Sequence, residues 1–238
     1  LFPRRRSDRS RLKRWPHNLG ISFVSQLLVR LTVPVTAVVI AVKASENNWG
    51  LFNQLNLAPA VEFIGAILIL DLVIYWQHRI FHLVQPLWRL HRMHHADIFF
   101  DVTTGIRFHP LSILLSVVIK LVTVIVIGPA VVAVLVFEVL LNATSLFNHS
   151  NLNIPQTVDK YLRLFVVTPD MHRVHHSTDG KEMNRNFGFN FPWWDRLFGS
   201  YLAAPEAGHE AMQIGLAEFR DASERNIMHM LTQPFRNG

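Results

Sequence analysis

The chain has 238 residues, of which 50% are hydrophobic and only 17% are charged, whereas charged residues make up about a quarter of a typical soluble domain. The length suits one domain, and the low charge content with a positive mean hydropathy disfavours a soluble protein and favours one embedded in a membrane. The absence of cysteine excludes disulfides, thiolate metal ligands and an iron–sulfur cluster held by this chain.

Basic residues are concentrated at the N-terminus. The Lys and Arg residues among the first 14 positions are Arg4, Arg5, Arg6, Arg9, Arg11, Lys13 and Arg14. An apolar stretch follows them directly, which is the arrangement of a cytoplasmic flank before a membrane span. We therefore predict a basic cytoplasmic segment over residues 1–17. A disordered tail that binds nucleic acid is the less favoured interpretation of the same charges, and we expect no nucleic-acid partner.

Four apolar stretches are long enough to cross a membrane as helices. They cover residues 21–44, 58–76, 111–127 and 130–147. At ~1.5 Å per residue, helices of this length suit a ~30 Å hydrocarbon layer. Gly128-Pro129 predicts a tight turn between the last two stretches. We predict an all-α, integral-membrane helical bundle with about four transmembrane helices; buried helices of a soluble protein are the alternative.

The charges of the loops predict the side on which each loop lies. Residues 45–57 contain no Lys or Arg, whereas residues 78–109 contain four arginines. The positive-inside rule therefore places the second segment on the cytoplasmic side with the N-terminus. The region from His149 onward returns to the same side after the last two spans. We predict that a cytoplasmic, histidine-rich helical cap covers this end of the bundle.

Histidine is the unusual component of this sequence, with 13 residues. Most of them lie in three boxes, His78-Arg-Ile-Phe-His82, His91-Arg-Met-His94-His95 and His172-Arg-Val-His175-His176. Residues three and four apart share a helix face, so each box presents two or three imidazoles on one surface. Eight imidazoles are too many for one metal ion and suit two ions side by side. Imidazole binds Zn, Cu, Fe and Ni, so the ligands alone leave the metal open.

Two polar stripes lead from the predicted spans towards the boxes. Asp71 shares a face with box one and is a candidate to orient a metal-bound histidine through its second ring nitrogen; a carboxylate that faces water is the alternative. The stripe on the fourth span consists of Glu138, Asn142, Ser145 and His149. We predict that His149 is a ninth metal ligand and that the other three line a substrate passage, with Glu138 alternatively placed against Lys120.

His109 lies in the segment Arg107-Phe-His-Pro110. Three interpretations stay open for it: a metal ligand, a group behind the ligands, or the residue that starts a helix before Pro110. His17, His209 and His229 stand alone in the sequence, and we predict that they are surface residues.

The boxes in this order resemble those of the fatty acid hydroxylase superfamily, which also contains sterol desaturases, sterol methyl oxidases, carotenoid hydroxylases and alkylglycerol monooxygenase. The resemblance covers roughly residues 58–201 and looks strongest to bacterial proteins of the sterol desaturase family. It is carried by residues 76–82, 87–95, 107–110, 147–151, 168–177 and 186–199. We accordingly predict a hydroxylase-like domain over residues 18–205 and a C-terminal tail over residues 206–238. Some relatives have a histidine where this chain has Ser145, so we expect its ligand count to be one lower than theirs.

The resemblance implies two iron ions that use O2 and two electrons to remove hydrogen from an unactivated carbon of a lipid, whether fatty acyl, sterol or related. Hydroxylation is the expected outcome, and a desaturase or an ether-lipid monooxygenase is the alternative. Zinc can replace iron in purified samples, since imidazole sites bind zinc at least as tightly as ferrous iron. The resemblance also makes Asn186 a candidate to reach the metals. A membrane zinc-binding protein without oxygen chemistry is the competing class, but nine histidines exceed the four ligands of a structural zinc site.

The partners implied are O2, a lipid drawn from the bilayer, and a separate electron carrier. The sequence has no dinucleotide-binding fingerprint and no haem signature, so a ferredoxin or haem protein with its reductase must supply electrons. A basic surface formed by Arg79, Arg89, Arg92, Arg173 and Arg185 would attract an acidic carrier; the positive-inside rule explains these arginines at least as well. We expect an integral protein of a bacterial inner membrane, with its histidine boxes facing the cytoplasm.

Overall fold

The computed structural model describes residues 2–5 and 11–237, so the predicted roles of Arg6 and Arg9 fall outside the described residues. In the described ranges the chain forms helices, with two isolated β-bridges at Pro3–Leu152 and Ser177–Ile214 and no β-strand. The α-helices are α1 (Arg11–Thr32), α2 (Ala37–Glu46), α3 (Leu51–Gln54), α4 (Pro59–Leu83), α5 (Gln85–His95), α6 (Pro110–Ile127), α7 (Val131–Asn148), α8 (Gln156–Leu162), α9 (Pro169–His175), α10 (Gly180–Met183), α11 (Trp193–Leu197), α12 (Gly208–Ala211) and α13 (Ile227–Thr232).

Four helical segments are long and apolar enough to cross a membrane, which confirms the predicted all-α bundle. They are Arg11–Gln54, Pro59–Leu83, Pro110–Ile127 and Val131–Asn148. Their common core joins α2, α4, α6 and α7 through buried side chains such as Ala41, Leu70, Val124 and Phe137. The turn between α6 and α7 is as predicted: α6 ends at Ile127, and Gly128 has a φ of 58°, a left-handed conformation that ends a helix at little cost in glycine.

The first predicted span, residues 21–44, is not one helix. Helix α1 ends at Thr32, four residues are non-helical, and α2 starts at Ala37. Pro34 explains the break, because proline lacks an amide hydrogen and disfavours a helical residue before it. Thr36 then starts α2, since its hydroxyl accepts a hydrogen bond from the amide of Val39 at 3.2 Å.

Arg14 of the N-terminal basic segment and the C-terminal region both belong to the cap. Arg14, predicted in a cytoplasmic flank, is buried in the first turn of α1, where it forms ion pairs with Asp97, at 2.7 Å, and with Asp101. In the predicted C-terminal tail, Met230 and Gln233 are fully buried. Short helices of this region thus pack against the histidine-bearing end of the bundle; the domain boundaries that we predicted from the sequence stay predictions.

Helix α4 extends beyond the predicted end of its span at residue 76 and continues to Leu83. Box one therefore lies on the last two turns of a membrane-spanning helix and is rigidly fixed to it. Boxes two and three lie on α5 and α9, which pack across the same end of the bundle.

Candidate metal centre

Helix termini set the positions of the histidine rings. Pro86 lies in the first turn of α5, where its missing amide hydrogen costs nothing. Thr168 caps α9 by accepting a hydrogen bond from the amide of Met171 at 3.4 Å. His149 directly follows the end of α7, and His176 directly follows the end of α9. These local signals hold nine rings at one end of the bundle, all of them buried except His82, which is half-buried.

The nine rings form two groups in which the candidate ligand atoms all lie within 4.8 Å of one another. The first group contains His78, His82, His91, His95 and His175. The second group contains His94, His149, His172 and His176. The groups adjoin, since the rings of His95 and His176 are stacked with their centroids 4.5 Å apart.

Boxes two and three each divide between the two groups. On α5, His91 and His95 belong to the first group and His94 to the second. In box three, His172 and His176 belong to the second group and His175 to the first. Residues four apart on a helix point to the same side, whereas adjacent residues are rotated by about 100°. Boxes two and three therefore each contribute rings to both groups, whereas both histidines of box one belong to the first.

The ring nitrogens converge within each group. In the first, the Nε2 atom of His95 lies 3.1 Å from that of His82 and 3.3 Å from that of His91. In the second, the Nε2 atom of His149 lies 3.2 Å from that of His94 and 3.1 Å from that of His172. Imidazole nitrogens bound to one ion at ~2.1 Å stand roughly 3.0–3.4 Å apart. The spacing therefore fits ligands that share a metal ion.

Backbone carbonyls orient four of the rings through Nδ1. In the first group, the Nδ1 atom of His78 lies 2.9 Å from the carbonyl of Phe187, and that of His175 lies 2.8 Å from the carbonyl of Arg185. In the second, His94 contacts the carbonyl of Arg107 at 3.2 Å, and His149 contacts that of Ser145 at 2.8 Å. A carbonyl only accepts, so Nδ1 carries the proton and donates it. The Nε2 lone pair then faces the centre of the group, which is the arrangement of metal-bound histidine.

Several buried ring nitrogens have no hydrogen-bond partner in the described part of the chain. They include Nε2 of His78 and His175 and both ring nitrogens of His176. A buried polar atom without a partner costs free energy, on the order of 1–3 kcal/mol. Two metal ions would satisfy Nε2 of His78, Nε2 of His175 and one nitrogen of His176, so the residues present fit the dinuclear centre that the sequence predicts.

Burial also keeps the rings outside the spans in their metal-binding form. It lowers the pKa of His91, His94, His95, His172, His175 and His176 well below 6.5, and repulsion between neighbouring rings lowers each pKa further. Burial lowers the pKa of His149 to about 3. The imidazoles are consequently neutral near pH 7, and neutral imidazole is the form that binds metals.

A cavity of about 540 Å³ leads from the histidines into the bundle between α1, α2, α4, α6 and α7. His78, His91 and His94 line the end of the cavity that is nearest to the two histidine groups. The three residues that we predicted in a substrate passage, Glu138, Asn142 and Ser145, all line it. Glu138 also meets its other predicted neighbour, because its Oε1 atom lies 2.6 Å from Nζ of Lys120.

Asp71 has neither of its predicted environments. It is fully buried rather than facing water, and it contacts no histidine. Its carboxylate accepts hydrogen bonds from Nε1 of Trp194 at 2.8 Å and from the amides of Asn190 and Phe191 at 3.3 Å. Asp71 therefore fixes the segment after box three, and that segment in turn supplies the Phe187 carbonyl that orients His78.

Asn186 does not point at the histidines, contrary to the prediction. Its amide nitrogen donates to the carbonyls of Met171 at 2.9 Å and Leu202 at 2.8 Å, and its oxygen accepts from the amide of Leu202 at 2.8 Å. These bonds occupy both ends of the side chain. Asn186, whose φ is 54°, instead holds the segment after box three against α9.

The remaining histidines lie outside both groups. His109 starts α6, as one of its three interpretations predicted: its Nδ1 atom accepts from the amide of Leu111 at 3.3 Å. His209 is not a surface residue; it is buried 3.7 Å from Asp170, and burial lowers its pKa to about 4. His17 and His229 are partly buried.

The predicted basic surface is smaller than the sequence suggests. Arg173 is fully buried, pairs with Asp170 and lies over the ring of Phe100. Arg92 is also buried and donates hydrogen bonds to carbonyls of the C-terminal region. Of the five arginines, Arg185 alone is exposed, while Arg79 and Arg89 are partly buried.

Asp195 supports the metal site, a role that we did not predict from the sequence. It accepts hydrogen bonds from the amides of Phe187 and Gly188, both at 2.8 Å, and from the hydroxyl of Ser200 at 2.7 Å. Burial raises its pKa to about 6. An acidic residue next to two tryptophans is a weak signal in the sequence, because only the folded chain shows which amides it meets.

Comparison with known proteins gives one family. The sequence profile of the fatty acid hydroxylase family matches residues 63–200. The chain is 27% identical to the ornithine lipid hydroxylase OlsE of Rhizobium tropici, over 74% of this chain and 51% of that protein. It is 31% identical to human alkylglycerol monooxygenase over 71% of this chain and 36% of that protein. It is 26% identical to the rice very-long-chain aldehyde decarbonylase GL1-9, over 74% of this chain and 68% of that protein.

The chain thus spans about half of the length of the first of these relatives and about a third of the second. No solved structure matches it.

Proposed function

The chain belongs to the fatty acid hydroxylase family, and we propose that it is a membrane-bound di-iron oxygenase that hydroxylates an unactivated C–H bond of a lipid. The observation that carries the proposal is the pair of buried histidine groups at one end of a cavity that reaches between the spans. The overall reaction converts R–H, O2, two electrons and two protons into R–OH and water.

Each histidine group would hold one iron ion. Bound iron would supply the O2 activation and hydrogen abstraction that no side chain can perform. The chain orients the ligands through the carbonyls described above and surrounds them with aromatic rings. Phe108 stacks on His94 at a centroid distance of 4.3 Å, and Phe100 stacks on His149 at 5.6 Å. These rings exclude water from the second group and limit rotation of its imidazoles.

A lipid substrate is supported by the position of the cavity and by the relatives. Aliphatic side chains of the spans, such as Val29, Ile74 and Leu121, line part of the cavity, so an alkyl chain could lie against them as it approaches the histidines. Two of the relatives are named as a lipid hydroxylase and an alkylglycerol monooxygenase. The second name keeps oxidation of an ether lipid as an alternative within the same chemistry, and desaturation is a further one.

Electrons would come from a separate ferredoxin or haem protein and its reductase. We place the chain in a bacterial inner membrane, and the loop charges support an orientation with the histidine groups on the cytoplasmic side. In that orientation a soluble carrier could approach the cap, and the exposed Arg185 is one contact available to an acidic partner.

Metal analysis together with product analysis tests the proposal. The protein would be expressed in iron-supplemented cells, purified in mild detergent, and supplied with a bacterial lipid extract, O2 and a chemical reductant. We expect about one iron per histidine group, and an O2-dependent product that is heavier by one oxygen atom. A product lighter by two hydrogen atoms would instead identify a desaturase.

Three variants locate the metals. His94→Ala, which leaves three imidazoles in the second group, should remove iron from that group and abolish product. His175→Ala, which leaves four imidazoles in the first group, should lower the iron content of that group without removing all of it. His229→Ala, outside both groups, is the matched control and should retain iron and product. Iron content at or below one per chain that is unchanged in His175→Ala and His94→Ala would refute the dinuclear centre. An iron-loaded protein that never consumes O2 would favour a metal-binding protein without oxygen chemistry.

A further inference from the structure

Helix α8 and the turn after it present their apolar side to the outside of the protein. Val158, Tyr161 and Phe165 are three and four residues apart, which places them on one side, and all three are exposed. The opposite side is polar and points inward, since Asp159 is buried and forms an ion pair with Arg163. A surface helix of a soluble protein has the reverse arrangement, with its apolar side towards the core. The exposed side of α8 therefore fits an apolar environment outside the described part of the chain.

A second exposed apolar surface, on α11, adjoins the first. Trp193 and Leu197 lie one turn apart on this helix and are exposed, Leu197 to 69%. Nε1 of Trp193 donates a hydrogen bond to the carbonyl of Leu164 at 2.6 Å. Arg196 donates one to the carbonyl of Arg163 at 3.0 Å. The two helices thus share one apolar surface, the α8–α11 surface, which consists of Val158, Tyr161, Leu164, Phe165, Trp193 and Leu197. Exposed apolar patches mark contacts with a partner or a membrane.

The depth of α11 beside the spans indicates which of these it is. Asp71 lies on the membrane-spanning helix α4, seven residues before His78, and is therefore roughly 10 Å nearer to the middle of the membrane than box one. Its carboxylate accepts hydrogen bonds from Nε1 of Trp194 at 2.8 Å and from the amide of Phe191 at 3.3 Å. The ring of Phe191 stacks on that of Trp193 with centroids 4.6 Å apart. Helix α11 thus lies at the level of a span, where the surroundings are lipid.

The segment that leads to α11 is packed onto two spans at this level. Asn190 accepts a hydrogen bond from the hydroxyl of Thr144 on α7. Phe189 packs against the common core of the spans. On the other side of α11, Phe198 lies against Trp76, an exposed residue of α4, with ring centroids 5.0 Å apart. The α8–α11 surface is therefore continuous with the lipid-facing side of α4.

The charges beside this surface match an anionic lipid layer. Lys160 on α8 and Arg196 on α11 are exposed, whereas the carboxylates of these two helices, Asp159 and Asp195, are buried. Lys and Arg near a bilayer attract anionic phospholipids, and Trp and Tyr are typical of the layer between headgroups and hydrocarbon. A contact between two copies of this chain would instead bring together cations that neither helix can pair with an exposed acid.

We propose that the α8–α11 surface inserts into the interfacial layer of an anionic bilayer and anchors the cap to the leaflet on the histidine side. Phe165, Trp193 and Leu197 enter the boundary between headgroups and acyl chains. Lys160 and Arg196 bind the phosphate groups of anionic phospholipids. This contact adds to the four spans and does not depend on the reaction that the protein catalyses.

The same contact holds a segment that orients the first histidine group. Asp195 on α11 accepts hydrogen bonds from the amides of Phe187 and Gly188, both at 2.8 Å. The carbonyl of Phe187 in turn lies 2.9 Å from Nδ1 of His78. Insertion of α11 into the bilayer therefore connects the lipid surface to a metal-binding ring through two hydrogen-bonded steps.

Quenching by brominated lipids tests the insertion. The full chain would be placed in nanodiscs of phosphatidylcholine and phosphatidylglycerol, with bromine near the glycerol end of the phosphatidylcholine acyl chains. The difference between the wild type and Trp193→Phe gives the fluorescence of Trp193, and we expect the bromine to quench most of it. Trp88 is the control, measured in the same way with Trp88→Phe. It lies against His82, which is eleven residues beyond Asp71 on α4 and thus roughly 16 Å further out, so its fluorescence should not change.

Brominated phosphatidylglycerol tests the role of the cations. We expect it to quench Trp193 at an about fivefold lower mole fraction than brominated phosphatidylcholine, the factor that one basic residue near an anionic surface contributes. Lys160→Gln combined with Arg196→Gln should abolish this difference, whereas Lys43→Gln, which removes an exposed cation of α2, should preserve it. Equal quenching of wild-type Trp193 by the two lipids overturns the anionic-lipid contact.

Charges on the apolar surface should withdraw it from the bilayer. Phe165→Asp combined with Leu197→Asp should reduce the quenching of Trp193 to the level of Trp88, with the helix content by circular dichroism unchanged. Unreduced quenching in this folded variant overturns the proposal. If the variant does not fold, the comparison of the wild type with Trp193→Phe decides.

The remaining outcomes separate this inference from its competitors. A wild-type Trp193 that brominated lipids do not quench overturns the proposal. If light scattering then shows a dimer that Leu197→Asp dissociates, the surface is a contact between two copies of the chain. A quenched Trp193 in a protein without O2-dependent oxidation of lipids refutes the oxygenase and leaves the membrane contact intact.

Discussion

The two histidine groups adjoin but are constructed differently. The first has five rings, two of them from box one on α4, and includes the half-buried His82. The second has four rings, all fully enclosed, and one of them, His149, comes from the end of α7 rather than from a box. The first group therefore has a ligand to spare and lies nearer to solvent. The second has fewer ligands and depends on the position of one helix end.

The difference also affects what each metal could bind from outside the chain. A six-coordinate ion with five imidazoles keeps about one open position, and one with four keeps about two. The cavity reaches rings of both groups, His78 and His91 of the first and His94 of the second. We therefore expect the second ion to accept external ligands more readily and to be lost more easily.

The largest expected effect comes from removing one ring from each group. His149→Ala leaves three imidazoles in the second group and should remove its metal and all O2-dependent product. His82→Ala leaves four in the first group, so most of its metal should remain. Iron per chain and product yield, measured on both variants, check this. Equal metal loss in the two variants would show that the groups are equivalent.

A change in the support of the first group should affect that group alone. Asp71→Ala removes the acceptor for three buried donors, and each unsatisfied donor costs on the order of 1–3 kcal/mol. The Phe187 carbonyl would then hold His78 less firmly, and we expect metal affinity in the first group to fall about 10–100-fold. Competition with a chelator measures the metal affinity of both groups. Asp71→Asn retains a hydrogen-bond acceptor and should lose less metal affinity. An equal loss of metal affinity at the second site would contradict the assignment of Asp71 to the first group.

The corresponding change for the second group is at Gly105. A Cβ atom there would lie 2.6 Å from the carbonyl oxygen of Ser145 and 3.1 Å from Nδ1 of His149. Gly105→Ala should therefore displace His149 and cost about 1–3 kcal/mol through overpacking, with weaker metal binding in the second group only. Gly180→Ala is the control, since a Cβ there meets no atom within 4 Å. A metal-bound Gly105→Ala with normal affinity at both sites would refute the prediction.

The smallest expected effect concerns pH and the support of the first group. The pKa of Asp195 is about 6 in the folded protein against an ordinary value of 3.8. Between these values the folded protein keeps a proton that the unfolded chain has lost, so this residue's contribution to stability falls as pH rises from about 4 to about 6. Relative to Asp195→Asn, the wild-type melting temperature should fall by a few degrees across that range, since about 1 kcal/mol corresponds to 2–4 °C at this chain length. If the melting temperatures of the wild type and of Asp195→Asn change in the same way across this pH range, Asp195 does not titrate there.

Whether a feature could be predicted depends on how far apart in the chain the interacting residues lie. Apolar length and box spacing are local properties, and the spans and the clustering of the boxes were predicted from them. The break at Pro34 also had a local signal, and the error there was to let hydropathy outweigh a proline. Asp71 and Asn186 were misplaced for another reason: their partners, Trp194 and Leu202, are separated from them in the chain and become neighbours only after folding.

The sequence also did not predict which charged residues are buried. Arg14 and Arg173 look like residues of a basic surface, yet both are enclosed, because Asp97, Asp101 and Asp170 fold against them. The sequence gives no reason to pair an arginine near residue 14 with acids near residue 100. Such pairs depend on the crossing of α1 over the loop after α5.

The sequence by itself determined that this chain is a helical membrane protein with clustered imidazoles, because hydropathy over about 20 residues and spacing of three or four residues are fixed by helix geometry alone. The tertiary structure decided how the rings divide into five and four, which carbonyls set their tautomers, and where the cavity opens. Those features depend on the rotation of α4, α5, α7 and α9 about their axes. That rotation is set by side-chain packing between helices, which no local pattern in the sequence specifies.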